Sequence, residues 1–404
     1  MCATLIGFMG TGNYRYSQYV VNDETEVRTP YVTVALAKVK RPSRILMFMT
    51  ADAKNQHYTA FQNELRVKGC GDISLDIVDV PLGRNEGELW VIFRRIVENV
   101  EPGMSVIFDI THGLRSFPIL GILSLSYLQF SIGIDLQGLY YGAYDVGVDT
   151  DLVSTDGYSV KRVPVFELSP FISLLPWMAG VNDFNRYGDS RELAKVLLKV
   201  GASSKMEELA ERLSVLSTAL MIGRPEDVEK SVEDLGAFQS KNQAQMAEEI
   251  QRWAQPFELV SDKILKEYQE LMQPEHPLER RLGLVEWYLK RQHISQAMTL
   301  LRETMVSRVI LVQEGSLENE NKLKSVRERA EQWLNSLCCK TSPLGKIWRE
   351  IGNVRNDIAH CGFRINRMRL GKIVEKANIC FEGAKVVFWE ESLWALAKDY
   401  VHTP

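Results

Sequence analysis

The sequence predicts an α/β domain with a parallel-dominated sheet, followed by an all-α half. Up to about residue 168, short apolar runs alternate with amphipathic stretches. Such runs are typical of strands buried on both faces, and their alternation with helices implies right-handed βαβ units. From Trp177 onward, apolar residues recur at helical spacing, as in MEELAERLSVLSTAL. A length of 404 residues suggests two or three domains.

The individual elements follow from these patterns. Strands are expected over Thr4–Met9, Tyr31–Ala35, Arg44–Thr50, Leu75–Pro81, Met104–Ile110, Leu136–Tyr141 and Val163–Leu168. Helices are expected between them over Gln56–Lys68, Glu86–Val100 and Leu114–Phe130. In the helical half, Pro225 with two following acids marks a first helical turn. The two prolines of QPEHPLERR, Gln273–Arg281, predict a break.

Three segments result from this reading. Residues 1–168 form the α/β domain, residues 169–275 a helical connector or insertion, and residues 276–404 a helical domain. The connector is the least informative part, and a helical relay, a part of the following bundle and a winged-helix-like insertion all stay open.

The composition excludes several classes of protein. The net charge of −4 and the pI near 6.0 exclude a protein that is positively charged over its whole surface. Nucleic acid, if bound, would have to bind to a local patch of basic residues. The apolar runs are too short to span a bilayer, and the N-terminus lacks the basic region of a signal peptide. The six cysteines have no CxxC spacing and are expected to be reduced thiols. We therefore expect a cytoplasmic protein.

A glycine-rich loop follows the first predicted strand. It contains Gly10, Thr11, Gly12 and Asn13, and glycines at a strand end let backbone N–H groups approach a phosphate. The position of a third fingerprint glycine holds Arg15, which disfavours a dinucleotide-binding dehydrogenase.

A second polar loop, THGLRS, follows the strand Met104–Ile110. Thr111, His112, Gly113 and Arg115 stand at the start of the next predicted helix, and the arginine fork suits bidentate contacts to a phosphate. Because ligands bind at the carboxyl ends of parallel strands, the two loops predict opposite walls of a pocket. Two other interpretations stay open: Asp109 and Thr111 could cap the helix with His112 as a satisfied loop residue, or Asp109 and His112 could bind a metal.

A third pattern lies near the C-terminus, where Arg355 and His360 have R-x4-H spacing. From Lys346 to Lys376, eight basic residues stand against three acids, a balance of +5 that attracts phosphates. Metal-free cleavage of RNA needs a group that moves protons and a cation that stabilises the phosphate, and histidine and arginine provide these. On an ideal helix, residues five apart differ by about 140° around the axis. A composite cleft from two copies of the chain is therefore favoured.

The first two patterns carry a family resemblance. DITHGLRSFP closely resembles the D-x-T-H-G-x-R signature of CRISPR-associated Rossmann-like sensor domains, known as CARF domains, and IGFMGTGNYRY resembles their first-strand G-T-G-x-Y loop. The resemblance covers about residues 1–168 and implies a homodimer that binds a cyclic oligoadenylate. It implies ligand contacts for Gly10, Thr11, Gly12 and Asn13 on one wall. Thr111, His112, Gly113 and Arg115 would form the other wall.

The region around Arg355 resembles the HEPN domain, an all-helical dimeric bundle with an R-x4-6-H motif. The residue after the arginine is usually polar in that family, and here it is Asn356. The combination resembles the CARF–HEPN ribonucleases of type III CRISPR systems. It implies an endoribonuclease that cyclic oligoadenylate activates, that needs no metal or other cofactor and that cuts single-stranded RNA in antiviral defence. His360 would transfer protons, Arg355 would stabilise the phosphate, and Asn356 would complete the site.

Two alternatives stay open. The chain could be a ligand-sensing regulator whose inactive helical half binds DNA or a protein partner. The sensor domain could also slowly cleave its own activator through His112 or its neighbours. The sequence leaves the ring size of the activator and the RNA preference undetermined.

Overall fold

A computed structural model describes residues 3–22, 25–153, 157–172, 174–200, 204–318, 320, 324–338, 342–363, 365, 367–398 and 400. The chain divides into two compact units, residues 1–175 and 176–404. The first unit is α/β and the second is helical in its described residues. This confirms the predicted fold class, an α/β domain with a mostly parallel sheet followed by an all-α half.

The first unit is built on one nine-stranded sheet. Its strands are β1 Thr4–Met9, β2 Ser17–Val21, β3 Thr25–Thr29, β4 Arg44–Met49, β5 Ser74–Asp79, β6 Ser105–Asp109, β7 Asp135–Gly142, β8 Val148–Val153 and β9 Ser159–Glu167. They lie in the order β3-β2-β9-β7-β6-β1-β4-β5, and β8 pairs with β9. The five strands β7, β6, β1, β4 and β5 are mutually parallel, whereas β9 pairs antiparallel with β7. The carboxyl ends of the parallel strands therefore share one edge of the sheet with the first residues of β2 and β9.

Helices cover both faces of this sheet. They are α1 Val32–Lys40, α2 Ala51–Val67, α3 Glu86–Glu98, α4 Ser116–Ile132 and the short α5 Ser169–Ile172. Successive strand side chains point to opposite faces. In β1, Leu5 joins the apolar cluster beneath α1 and α2, and Ile6 joins the cluster beneath α3 and α4. The result is a three-layer α/β/α unit whose central strands β1, β4 and β6 are buried on both faces.

The predicted strand Tyr31–Ala35 is wrong. The segment begins α1, and Val32 and Val34 are fully buried within it. The segment is buried on all sides, and the packing energy of this burial outweighs the β-propensity of its β-branched residues, because differences in intrinsic propensity are small. The strands β2, β3 and β8 were not predicted. The alternation of polar and apolar residues in TEVRT was a weak signal for β3.

The second unit consists of helices with short connections. Its helices are α6 Leu174–Tyr187, α7 Arg191–Val200, α8 Ser204–Ile222, α9 Pro225–Trp253, α10 Gln255–Glu270, α11 Pro277–Lys290, α12 Ile294–Glu314, α13 Lys324–Ser336, α14 Pro343–Ala359, α15 Leu370–Phe388 and α16 Glu391–Trp394. Pro225 begins α9 and Pro277 begins α11, as the sequence predicts for the first turn and for the break. One apolar cluster joins α6 through α16.

None of the described helices is long and apolar enough to cross a bilayer. The boundaries at residues 168 and 275 remain predictions. The division of the chain into compact units falls at residue 175.

Candidate functional sites

The two predicted loops lie next to each other at the carboxyl edge of the sheet. β1 and β6 are parallel neighbours, with Gly7 opposite Asp109. A Cβ atom on Gly10 would lie only 3.0 Å from the Cα of Gly113, so the two backbones are in close contact. Gly113 has φ 107°, a conformation that favours glycine. Both positions therefore need a residue without a side chain.

Both loops carry exposed residues. Thr11, Gly12 and Asn13 are exposed on the first loop, and Gly113 and Arg115 on the second. A guanidinium and the backbone N–H groups of a glycine-rich turn are groups that can bind an anion.

Asp109 anchors the second loop and does not cap a helix. Its side chain is 1% exposed and accepts hydrogen bonds from the hydroxyl of Thr33, at 2.6 Å, and from the N–H of Thr111, at 2.9 Å. The helix α4 begins at Ser116, and its N-cap residue Arg115 makes no side-chain capping bond. The Thr111 hydroxyl accepts from the N–H of Gly142 at 2.8 Å. The capping interpretation of Asp109 and Thr111 is therefore wrong.

His112 points into the protein. It is 7% exposed, and the N–H of Val32 donates to its Nε2 at 3.3 Å, which leaves the proton of the neutral ring on Nδ1. Burial lowers the pKa of His112, although the charge of Asp109 opposes this shift. The side chain ties the loop to the start of α1, as in the satisfied-histidine interpretation.

Sequence reasoning missed the role of two side chains behind the loops. The ring centroid of Tyr14 lies 4.4 Å from that of His112 and 4.8 Å from that of His57 on α2. His57 is buried, burial lowers its pKa, and its Nε2 has no hydrogen-bond partner among the described residues. Tyr14 is the tyrosine of the G-T-G-x-Y pattern, so the sequence did mark this residue. Nothing in the local sequence marks His57.

Arginine adds positive charge at the same edge of the sheet. The guanidinium of Arg15, which is exposed, lies 4.1 Å from the ring centroid of Tyr158, just before β9. Arg115 is exposed on the second loop. A planar guanidinium beside an aromatic ring is a surface on which a nucleobase can stack.

The R-x4-H motif straddles the end of α14. Ser342 caps the start of this helix by accepting from the N–H of Gly345 at 3.0 Å, and Trp348 and Ile351 are buried on its inner face. The helix ends at Ala359, so His360 occupies the C-cap position. The expected separation of about 140° assumes a helix that continues through both residues, and here the chain leaves the helix at His360.

Arg355 is half-buried and His360 is exposed. The Nη1 of Arg355 donates to the Oδ1 of Asn356 at 3.2 Å, and its Nε is buried without a partner among the described residues. After His360, the chain turns back through Cys361 and Gly362, with φ values of 53° and 72°. The cation and the imidazole thus stand at a helix end, and neither forms an ion pair in the described part of the chain.

Asp357 shapes this turn. It is 3% exposed, and both carboxylate oxygens lie 3.4 Å from the N–H of Met368, on the returning segment. None of the ion pairs between described residues includes Asp357. Val374, on α15, is 44% exposed.

A cavity of about 800 Å³ lies beside the motif. Its lining residues are Ile294, Ser295, Asp357, Ile358, Cys361, Gly362, Arg367, Met368, Arg369, Leu370, Ile373 and Val374. Phe363 and Leu370 nearby are 90% and 84% exposed. The region combines positive charge with uncovered apolar surface. Arg364, part of the predicted basic patch, lies outside the described residues.

No group of three or more His, Cys, Asp or Glu residues that could hold a metal ion occurs in the parts of the chain that the structure describes. In particular, both oxygens of Asp109 and the Nε2 of His112 are occupied by protein groups. The metal-site interpretation of Asp109 and His112 has no support in this geometry.

Comparison with known proteins identifies the class. A family model described as "CRISPR-associated protein MJ1674, second domain" matches residues 173–275. The CRISPR-associated protein MJ1674 of Methanocaldococcus jannaschii is 23% identical over 288 residues, which are 70% of this chain and 41% of that protein. The chain therefore spans about two fifths of the length of this curated relative.

Among solved structures, Enterococcus italicus Csm6 bound to cyclic hexa-2'-fluoro-hexa-dAMP is similar over 98% of this chain and 97% of that one. The identity is 11% and the TM-score 0.43. These findings support the resemblance to CRISPR-associated proteins that the motifs indicate. The chain is similar to such proteins, and in it an α/β unit precedes a helical unit.

Proposed function

We propose that this protein is a homodimeric endoribonuclease of type III CRISPR antiviral defence, activated by cyclic oligoadenylate and independent of metal. It would act in the cytoplasm on single-stranded RNA. One observation carries the proposal: Arg355 and His360 stand at an open helix end beside a cavity that two further arginines line.

The helical unit would supply the chemistry of cleavage. His360 would transfer protons between the ribose 2′-hydroxyl, which attacks the adjacent phosphate, and the 5′-oxygen, which leaves. Arg355 would stabilise the charge on the phosphate oxygens, and Asn356, which accepts from its guanidinium, would orient it. The product would carry a 2′,3′-cyclic phosphate. No step needs a cofactor.

The α/β unit would bind the activator. Gly10, Thr11, Gly12 and Asn13 would form one wall of the pocket, and Thr111, His112, Gly113 and Arg115 the other. The side chain of His112 would act by holding its loop in place, and its backbone would face the ring. Tighter binding of the ring to the cleavage-competent state would shift the protein toward that state.

Exposed apolar surface supports a homodimer. On α4, directly after the second loop, Ile119, Leu123, Tyr127 and Phe130 are each more than half exposed and recur at helical spacing. Phe363 and Leu370 are uncovered beside the R-x4-H motif. A two-fold axis through each region would place two activator loops and two Arg–His pairs together, as a symmetric ring and a composite cleft require.

Labelled single-stranded RNA, EDTA and cyclic oligoadenylates of several ring sizes test the proposal in one assay. We expect cleavage only when a ring of the right size is added. Arg355→Ala and His360→Ala should each reduce the cleavage rate by about a hundredfold or more, with ring affinity unchanged. Arg329→Ala is the matched control, because Arg329 pairs with Glu314 away from the motif.

Full cleavage by the double variant would refute the assignment of Arg355 and His360. Ring binding without RNA turnover in the wild type, together with binding of duplex DNA or a protein, would instead support the regulatory alternative.

A further inference from the structure

The hydroxyl of Tyr14 occupies the point where the two loops of the α/β unit meet. It accepts a hydrogen bond from the N–H of Gly10 at 2.9 Å. A Cβ atom on Gly10 would lie 3.4 Å from this hydroxyl oxygen and 3.0 Å from the Cα of Gly113. One oxygen atom of the protein thus sits between backbone segments that come from different strand ends.

The hydroxyl oxygen of Tyr14 occupies a backbone donor that an anion could use. Burial raises the pKa of Tyr14, so the phenol stays neutral, and the N–H of Gly10 donates to this neutral oxygen. Converging backbone N–H groups of glycine-rich turns form anion-binding concavities. A hydrogen bond to a charged oxygen is roughly twice as strong as one to a neutral oxygen.

The tyrosine ring is held in place by aromatic neighbours. Its centroid lies 4.4 Å from that of His112, 4.8 Å from that of His57 and 5.7 Å from that of Tyr31. A ligand oxygen that takes the place of the hydroxyl must therefore displace a packed side chain.

We propose that the N–H of Gly10, where its loop touches Gly113, forms an anion subsite for one phosphodiester oxygen of the ring ligand, and that the Tyr14 hydroxyl fills this subsite until the ligand displaces it. This inference rests on the proposed function and adds to it a residue that sets the ligand concentration at which the sensor responds. Tyr14 acts here as a placeholder.

The alternative is a staple role, in which the hydrogen bond of the Tyr14 hydroxyl stabilises the loop in its binding conformation. The two roles predict opposite signs when the hydroxyl is removed. Loss of a placeholder leaves the subsite open and strengthens ligand binding. Loss of a staple loosens the loop and weakens binding.

The test compares Tyr14→Phe with the wild type and with Tyr16→Phe, by calorimetric titration of the full chain with cyclic oligoadenylates of several ring sizes. Phenylalanine keeps the ring contacts and removes only the hydroxyl. Tyr16 lies two residues further on, and its hydroxyl donates to Glu64 at 3.0 Å, so it is a matched control for loss of a tyrosine hydroxyl. We expect Tyr14→Phe to bind about three- to tenfold more tightly, the equivalent of one net hydrogen bond, and Tyr16→Phe to bind as the wild type does.

Equal or weaker binding by Tyr14→Phe, with a thermal midpoint like that of the wild type, would overturn the placeholder role alone. A midpoint lowered by more than that of Tyr16→Phe, with weaker binding, would establish the staple role. If neither the wild type nor Tyr14→Phe binds any ring, the proposed function fails and this inference fails with it. Binding by Tyr14→Phe alone would support both.

Discussion

The two candidate sites use their buried carboxylates differently. In the α/β unit, Asp109 is almost fully buried, and short hydrogen bonds from Thr33 and Thr111 occupy both of its oxygens. In the helical unit, Asp357 is similarly buried, and among the described residues its carboxylate has only long contacts, at 3.4 Å, with the N–H of Met368. The carboxylate of the first site is thus fully used by groups of the same unit. Arg355 and His360 of the second site form no ion pair among the described residues.

We therefore expect substitutions at the first site to reduce stability mainly, and substitutions at the second site to reduce activity mainly. A group whose partners are all internal should affect folding first, because its loss leaves buried donors unpaired. A group at an open helix end should affect activity first. The following predictions test that contrast, in order of decreasing effect.

Asp109→Ala should destabilise the α/β unit by about 2 to 5 kcal/mol, because it leaves the buried Thr33 hydroxyl and Thr111 N–H without an acceptor. Hydrogen–deuterium exchange read by mass spectrometry would show faster exchange in β1, β6 and α1. Exchange in the helical unit, for example in α12, should not change. Unchanged exchange in β6 would contradict the anchoring role of Asp109.

Gly113→Ala should destabilise the same unit by about 2 kcal/mol and weaken ring binding. Alanine disfavours φ 107°, and its Cβ would lie 3.1 Å from the ring of Phe117 and 3.2 Å from the Cβ of Phe8. Gly133→Ala is the matched control, since Gly133 has φ 67° with no atom within 4 Å of a new Cβ. Thermal unfolding and titration of both variants would separate close packing from backbone strain. Equal losses in the two variants would mean that the close contacts of the new Cβ with Phe117 and Phe8 contribute nothing.

Asp357→Asn should have a small effect on stability, about 1 kcal/mol, and a larger effect on RNA cleavage. The amide keeps one acceptor for Met368 but loses the charge that holds the returning segment. Cleavage rate and thermal midpoint, measured on one preparation, provide the comparison. A large loss of stability with cleavage retained per folded molecule would show that Asp357 resembles Asp109 after all.

Lower pH should weaken the α/β unit by about 1 kcal/mol between pH 7.5 and 5.5 through His112. Burial lowers the pKa of this group in the folded protein, so its neutral form is favoured there. Above the unfolded pKa of about 6.5, both states hold a neutral ring, and the contribution to stability is complete. As the pH falls below that value, the unfolded chain takes up a proton that the folded chain does not, and stability is lost.

Urea unfolding of His112→Gln and the wild type at both pH values checks this prediction. His57 shifts in the same direction, because burial also lowers its pKa, so part of the pH dependence should remain in the variant. Identical pH dependence in the two proteins would show that His112 is not the titrating group.

Much of the α/β unit was predictable from local pattern. The strands β1, β4, β5, β6, β7 and β9 were expected close to their observed positions, and the central strands β1, β4 and β6 are the continuous apolar runs typical of burial on both faces. The strand prediction for Tyr31–Ala35 was wrong because this apolar, β-branched segment begins a helix that is buried on all sides. The edge strand β3 was missed because three of its five residues are exposed, which weakens the apolar signal, and the short interior strand β2 was missed although it is buried.

The sequence positions of the candidate sites were predictable, but the directions in which their side chains point were not. The Gly-rich loop, the THGLR loop and the R-x4-H pattern were all visible in the sequence. The inward direction of His112, the contact of Tyr14 with Gly10 and the partnership of Asp109 with Thr33 were not. Each of them joins residues far apart in the chain, or depends on which way a loop turns.

By itself the sequence determined the fold class, the order of the two units and the resemblance to CRISPR-associated proteins. These depend on local periodicity and on short motifs, which neighbouring residues carry. The tertiary structure alone decided which polar side chains form hydrogen bonds inside the protein and which are exposed to solvent. That outcome depends on the pairing of β1 with β6 and on the packing of α1 and α2 over them, and local sequence does not encode contacts between such distant segments.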